Sequence, residues 1–209
     1  MCPLPVIGDK PVIGLSGGVG AGKSTVAGML ASLGAGVIDS DALSRTALRD
    51  PKVVATLRRW WGPGVLRGEA IDRRAVADIV FAQPPELARL EGLLYPLISR
   101  RRDALIAAYT ADDRVRAIVI DSPKLYESGL DAQCDVVIFV DTGARIRSRR
   151  LVADRGWDPE ELRRREKLQK PLDIKRRKAD YTVTNNSNID ALSLDVERIF
   201  SQVLTSFSS

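Results

Sequence analysis

The run Val12-Ile13-Gly14-Leu15-Ser16-Gly17-Gly18-Val19-Gly20-Ala21-Gly22-Lys23-Ser24 decides the architecture. Val12 to Leu15 is short, apolar and bounded by glycine, as a strand buried in a parallel sheet must be. Gly17 to Ser24 fits G-x-x-x-x-G-K-[ST] at every fixed position. Helical spacing follows, with Val26, Met29, Leu30 and Leu33 on one face and Gly34 and Gly36 as the stop. A strand, a glycine loop and a helix in that order make a phosphate cradle. Glycines let successive N–H groups turn toward phosphate oxygens, and the helix adds its positive end. Lys23 is placed to reach the β- and γ-phosphates, and Ser24 to ligate Mg²⁺. The run therefore predicts ATP or GTP binding.

Further apolar runs extend the pattern. Val37-Ile38 ends in Asp39-Ser40-Asp41, Ala117 to Ile120 ends at Asp121, and Val136 to Val140 ends at Asp141. Tyr181-Thr182-Val183 reads as a last strand. Strands alternating with helices imply right-handed βαβ units. The expected fold is α/β, a five-stranded parallel sheet flanked by helices. Two stretches break that rhythm. Residues 42–110 show only helical patterning, interrupted at Pro51, Gly62-Pro63-Gly64 and Pro84-Pro85, which predicts a helical insertion. Residues 145–178 are also helical, with a helix start at Asp158-Pro159-Glu160-Glu161. The expected organisation is a lead at 1–10, a nucleotide-binding core at 11–41, 111–144 and 179–209, a helical substrate region at 42–110 and a lid at 145–178. Residues 205–209 read as a frayed tail.

Composition narrows the chemistry. The chain has 209 residues, 44% apolar and 28% charged, with a net charge of +5, two cysteines and no histidine. Without imidazole there is no Ser-His-Asp or Cys-His catalysis and no His-ligated metal. Cys2 and Cys134 mark no disulfide framework, so a reduced, cytoplasmic setting is expected. No apolar run approaches the ~18 residues of a membrane span, and the first ten residues do not pattern as a signal peptide. Residues 145–178 hold 14 Lys and Arg against 6 Asp and Glu, a net of +8 that leaves −3 for the remainder. Such a local excess suits a phosphate lid better than a nucleic-acid face. There is no Asn-Lys-x-Asp to read guanine. A small kinase acting on a small acceptor fits these facts, with no nucleic-acid or membrane partner, as a monomer or small homo-oligomer.

Beyond the loop, the chain resembles the dephospho-CoA kinase family. The resemblance runs through Ile13 to Thr25, Val37 to Asp41, Gly62-Pro63, Ile71-Asp72-Arg73, Val80-Phe81 and Leu94-Tyr95-Pro96-Leu97-Ile98. It continues through Asp121 to Gly129, Gln169, Lys175 and Ala179 to Asn185. It implies a P-loop core with a helical CoA domain and a lid. The implied reaction is ATP-dependent phosphorylation of the ribose 3′-hydroxyl of dephospho-CoA, the last step of CoA biosynthesis, with ATP and Mg²⁺. The alternatives are a related metabolite, nucleoside or nucleotide kinase, or an ATP-binding regulatory protein that has lost catalysis.

The resemblance also distributes roles. Gly18, Gly20, Ala21, Gly22, Lys23, Ser24 and Thr25 would cradle the phosphates. Ser24 and Asp121 would hold Mg²⁺, although Asp121 is also a common kind of strand-terminal turn residue. Asp41 corresponds to the family's catalytic aspartate; it accepts or orients the hydroxyl proton, helps hold Mg²⁺ through water, or else caps a helix beginning at Ala42. Asp39 is the weaker neighbour. Arg150 and Arg155 are the lid candidates for γ-phosphate or transition-state contact, because arginine grips phosphate bidentately, and Arg150 stands with Asp41 and Lys23 as a catalytic candidate. Asn185 falls where the family's adenine-side loop lies. On the acceptor side stand Arg45, Arg73, Tyr95, Pro123, Leu125 and Glu127. Two positions depart from the family: Tyr95 stands where histidine is usual, and Lys124 where an apolar residue is usual. Trp60 and Trp61 either pack or stack on adenine.

Overall fold

Strand β1 (Val12–Gly17) is buried along its whole length because it is paired on both edges and covered on both faces. The protein is described from a computed structural model, which covers residues 10–156, 162, 166–167, 169–186 and 188–207, without the side chains of residues 154 and 155. Strands β2 (Ala35–Asp39), β5 (Ala117–Asp121), β6 (Val136–Asp141) and β7 (Tyr181–Thr184) join β1 in one parallel five-stranded sheet, ordered β2-β5-β1-β6-β7. The register sets Leu15 and Asp39 beside Asp121, Gly17 beside Val140, and Asp141 beside Thr184. The aspartates that end three strands therefore collect at the edge where β1 opens into the glycine loop. In open α/β sheets this carboxyl edge is where ligands bind.

Helices α1 (Lys23–Ser32) and α8 (Ile189–Phe207) supply the core of this unit. Val26, Ala27 and Leu30 of α1 and Leu192, Val196, Ile199, Phe200 and Val203 of α8 recur at helical spacing and are buried with Ile13, Leu15, Ile138 and Val140. Each such Val, Leu, Ile or Phe side chain contributes roughly 1.5–3 kcal/mol by leaving water. The buried stripe runs to Val203 and the helix itself continues to Phe207, so the predicted frayed tail does not begin at Thr205. β2 starts at Ala35, two residues ahead of the predicted Val37. It needs Gly36, where a Cβ would lie 2.6 Å from the Tyr109 ring. Lys10 is not part of a loose lead: its ammonium donates to the carbonyls of Tyr109 and Asp112 at 2.9 and 2.7 Å.

Ser40–Leu105 forms a second compact unit, distinct from Met1–Asp39 with Ile106–Ser209. It holds α2 (Ser40–Ala47), α3 (Pro51–Trp61), α4 (Arg73–Ala82) and the greater part of α5 (Pro84–Ala111). Its own core gathers Ala47, Val53, Leu57, Val65, Val76, Val80, Leu90 and Leu94. The caps are legible. Asp50 accepts from the Lys52 N–H at 3.0 Å ahead of Pro51, and Asp72 accepts from Arg74 and Ala75 at 2.9 and 3.3 Å. One expectation fails here. The insertion is not purely helical, because β3 (Leu66–Arg67) pairs antiparallel with β4 (Ala70–Ile71). Strands of two residues are too short to show alternation.

Between β6 and β7 lie α6 (Ala144–Arg155) and α7 (Leu172–Lys178). The helix expected at Asp158–Glu161 lies outside the described residues. No described helix is long and apolar enough to cross a membrane.

Candidate active site

The glycine loop is shaped from outside as well as by its own sequence. Gly20 and Gly22 sit at φ +76° and +87°, in the left-handed region that side chains avoid. Gly22 is the residue before α1, and its carbonyl accepts from the N–H groups of Thr25 and Val26 at 3.0 and 3.2 Å. A Cβ on Gly22 would lie 2.2 Å from Asn185 Nδ2; one on Gly18 would lie 2.8 Å from an Arg147 nitrogen. The loop's outward carbonyls need donors. The Ala21 carbonyl accepts from both Asn185 Nδ2 and Thr142 Oγ1 at 2.9 Å, and the Val19 carbonyl from Arg147 Nη1 at 3.2 Å. Lys23 folds back over the loop, with Nζ 3.4 and 3.5 Å from the carbonyls of Gly17 and Gly18. Ser24 and Thr25 are exposed at the start of α1.

Arg150 and Asn185 are brought together beside Gly22. Arg150 Nη2 donates to both the carbonyl and Oδ1 of Asn185 at 3.2 Å. Asn185 is buried, and its amide braces the loop through Ala21. The side chain of Arg155 lies outside the described residues. Asp121 ends β5, half-buried, beside Leu15 of β1. Among the described residues no three His, Cys, Asp or Glu side chains form a metal cluster of their own.

The stretch 122–129 is tied to α7. Lys175, buried to 1% exposure, places Nζ 2.9 Å from Glu127 Oε1, 3.0 Å from Gln169 Oε1 and 3.2 Å from the Pro123 carbonyl. Glu127 Oε1 also accepts from the Lys170 N–H at 2.6 Å. Burial alone would raise the Glu127 carboxyl, but the Lys175 ammonium and the backbone donors hold it below the usual range. Leu125 points into the core against Gly14, while Lys124 is exposed.

The remaining candidates belong to the 40–105 unit. Asp41 is exposed in the first turn of α2, which begins at Ser40, so it is not the residue preceding the helix. Arg45 stands one turn later, exposed. Arg73 is exposed at the start of α4, directly after its Asp72 cap. Tyr95 is half-exposed on α5, and partial burial with a hydrogen bond and the charge of Glu91 pushes its phenol up to about 12. Trp60 is stacked under the Arg89 guanidinium at 3.9 Å, and Trp61 donates to Glu86 at 2.6 Å, so both are engaged in packing.

Sequence reasoning missed Arg147 and Thr142 and gave Lys175 no role. Arg147 and Arg150 are three residues apart on α6, one helical face. That spacing was the available signal, masked by the charge around it.

The sequence matches the family model of CoaE, dephospho-CoA kinase, over residues 11–191. A dephospho-CoA kinase of Symbiobacterium thermophilum is 39% identical over 188 residues, covering 89% of this chain and 78% of its own length. One from Deinococcus radiodurans is 36% identical over 191 residues, 91% of each chain. The crystal structure of TT1252 from Thermus thermophilus superposes with a TM-score of 0.79 at 31% identity, covering 94% of this chain and 97% of that one. These likenesses run through the phosphate loop, the insertion and the strands that follow: the chain belongs to the dephospho-CoA kinase family, the phosphotransferases of the final step of coenzyme A biosynthesis.

Proposed function

We propose that this chain transfers the γ-phosphoryl group of ATP to the ribose 3′-hydroxyl of dephospho-CoA, releasing ADP and CoA. The observation that carries the reading is the glycine loop itself, complete in sequence, set at the carboxyl end of the central strand and braced through its carbonyls by Arg147, Thr142 and Asn185.

The hydroxyl oxygen attacks the γ-phosphorus, the bond to the β-bridging oxygen breaks, and the hydroxyl proton passes to Asp41. Phosphoryl transfer proceeds through a loose transition state, so positioning and charge neutralisation supply most of the acceleration. That demand fits a chain without histidine. Lys23 and the backbone of Gly18 to Thr25 hold the β- and γ-phosphates, and Lys23 already lies over the loop, beside the Gly17 and Gly18 carbonyls. The Ser24 hydroxyl and the Asp121 carboxylate suit Mg²⁺, a hard ion that takes few protein oxygens and fills its shell with phosphate and water. When bound, Mg²⁺ offsets charge on the β- and γ-oxygens. Arg150, held by Asn185 beside Gly22, serves the phosphates from α6. Arg45, Arg73, Tyr95, Pro123 and Glu127 serve the acceptor, and Leu125 supports that stretch from the core.

Incubation with Mg·ATP and dephospho-CoA is expected to yield ADP and a 3′-phosphorylated product in equal amounts. ADP without that product, or product only from a different acceptor in a panel of nucleosides and metabolites, would overturn the assignment.

A further inference from the structure

We propose that Arg147 is a positioning residue for ATP, fixing the phosphate loop through the Val19 carbonyl while Glu166 sets its aim. The inference rests on the ATP reading above. Arg147 is 6% exposed, and a guanidinium so buried must spend its donors. Nε donates to the Thr142 carbonyl at 3.2 Å, and Nη1 donates to the Val19 carbonyl at 3.2 Å and pairs with Glu166 Oε1. Thr142 in turn donates from its hydroxyl to the Ala21 carbonyl at 2.9 Å. One side chain thus fastens the crest of the loop directly and its far side through Thr142. A planar fork with donors on two sides can do this; a lysine ammonium cannot.

The glycines give independent support. The phosphate-loop pattern fixes only Gly17 and Gly22, yet Gly18 and Gly20 are glycine too. A Cβ on Gly18 would lie 2.8 Å from Arg147 Nη1, and one on Gly20 would lie 3.1 Å from the Arg147 carbonyl and 2.9 Å from Leu151 Cγ. The two additional glycines are therefore the space that α6 occupies. A loop fastened in its receptive shape loses less freedom when phosphates bind. Arg147 does this through Nε and Nη1, which the Thr142 and Val19 carbonyls and Glu166 already engage.

The test uses the full chain, with the dissociation constant of Mg·ATP from calorimetric titration and steady-state kinetics on both substrates. Arg147→Gln is expected to raise Kd and KM for ATP about tenfold, the loss of roughly one charge-assisted hydrogen bond. Turnover at saturating ATP and KM for dephospho-CoA should stay within about twofold, as befits an interaction made equally in ground and transition states. Arg147→Lys is expected not to rescue. Glu166→Gln should weaken ATP binding in the native background and add nothing to Arg147→Gln. An unchanged Kd in Arg147→Gln, or a fall in kcat with KM for ATP constant, would overturn the proposal. Should Arg147→Gln fail to fold, an unchanged Kd in Glu166→Gln would do the same. If the native chain binds no ATP, the donor reading falls and this proposal with it. If it binds ATP but leaves dephospho-CoA untouched, only the acceptor reading falls, and the Kd comparison still decides the role of Arg147.

Discussion

The ammonium of Lys175 lies 2.9 Å from Oε1 of Glu127, in a side chain only 1% exposed. Few positions are less hospitable to a lone charge. The Gln169 side chain and the Pro123 carbonyl take its other protons, so the ion is fully engaged. Removing one member of such a pair strands the other. Lys175→Met is expected to lower the unfolding free energy by about 3–5 kcal/mol, and the further change Glu127→Gln to restore part of it. Urea titration at neutral pH measures both. A loss in Lys175→Met as large as in the double variant would show that the stranded carboxylate is not the cause.

The same pair sets an acid dependence. Burial pushes the Glu127 carboxyl up, but Lys175 and the Lys170 N–H prevail and hold it below its ordinary 4.5. A carboxyl depressed in the folded state stabilises the protein fully above its unfolded value and loses that contribution as pH falls through the folded one. The stability difference between the native chain and Glu127→Gln should therefore be constant above pH 4.5 and shrink below it. Thermal unfolding of both proteins from neutral to acid pH measures the difference, and a gap that widens on acidification would contradict the arrangement.

At the donor site, Lys23 is the cation nearest the transferring group on the present reading. Lys23→Ala is expected to reduce kcat about 100–1000-fold, the scale on which one preorganised electrostatic contact acts. Its ammonium makes long contacts with the Gly17 and Gly18 carbonyls, at 3.4 and 3.5 Å, from the side of the loop it would serve. Turnover by the alanine variant at near-native rate would remove Lys23 from the mechanism.

The sheet was open to reading because β1, β5 and β6 are apolar runs with marked ends, as buried parallel strands require, and the edge strand β7 is rich in β-branched and aromatic residues. The order in which β5 inserts between β2 and β1 was not, because pairing joins residues far apart in sequence. The hairpin of Leu66–Arg67 with Ala70–Ile71 escaped because two residues carry no period. At the site, the loop from Gly17 to Ser24 is local and was fully legible. Arg147 was not, since nothing separates it by type from the other basic residues of 145–178; burial against Val19 and Thr142 singles it out. Asn185 was noticed, but its partner is the Ala21 carbonyl, a backbone atom no pattern advertises.

Asp41 carries the proton-transfer part of the proposal. It lies in the first turn of α2, where its charge also favours the helix by the macrodipole, worth about 0.3–1 kcal/mol. The two roles separate experimentally. Asp41→Asn is expected to lower kcat about 100–10,000-fold, the range of general-base catalysis, with little change in ATP affinity. Loss of stability without loss of kcat would return Asp41 to the helix alone.

Gly22 offers the sharpest steric case. Its φ of +87° is costly for any side chain, and a Cβ would meet Asn185 Nδ2 at 2.2 Å. Gly22→Ala must therefore adopt strained backbone and push aside a buried amide that serves Ala21 and Arg150. The two costs together are about 2–5 kcal/mol, from left-handed strain and from unpaired buried groups. ATP binding should fail in parallel, because the displaced amide no longer holds the loop. Adding Asn185→Ala removes the clash but neither relieves the φ strain nor restores the donor that Asn185 gave the Ala21 carbonyl, which keeps only Thr142, so the double variant should recover only part of the stability. Full recovery, measured by urea unfolding, would mean that the collision with Asn185 is the whole reason position 22 is glycine.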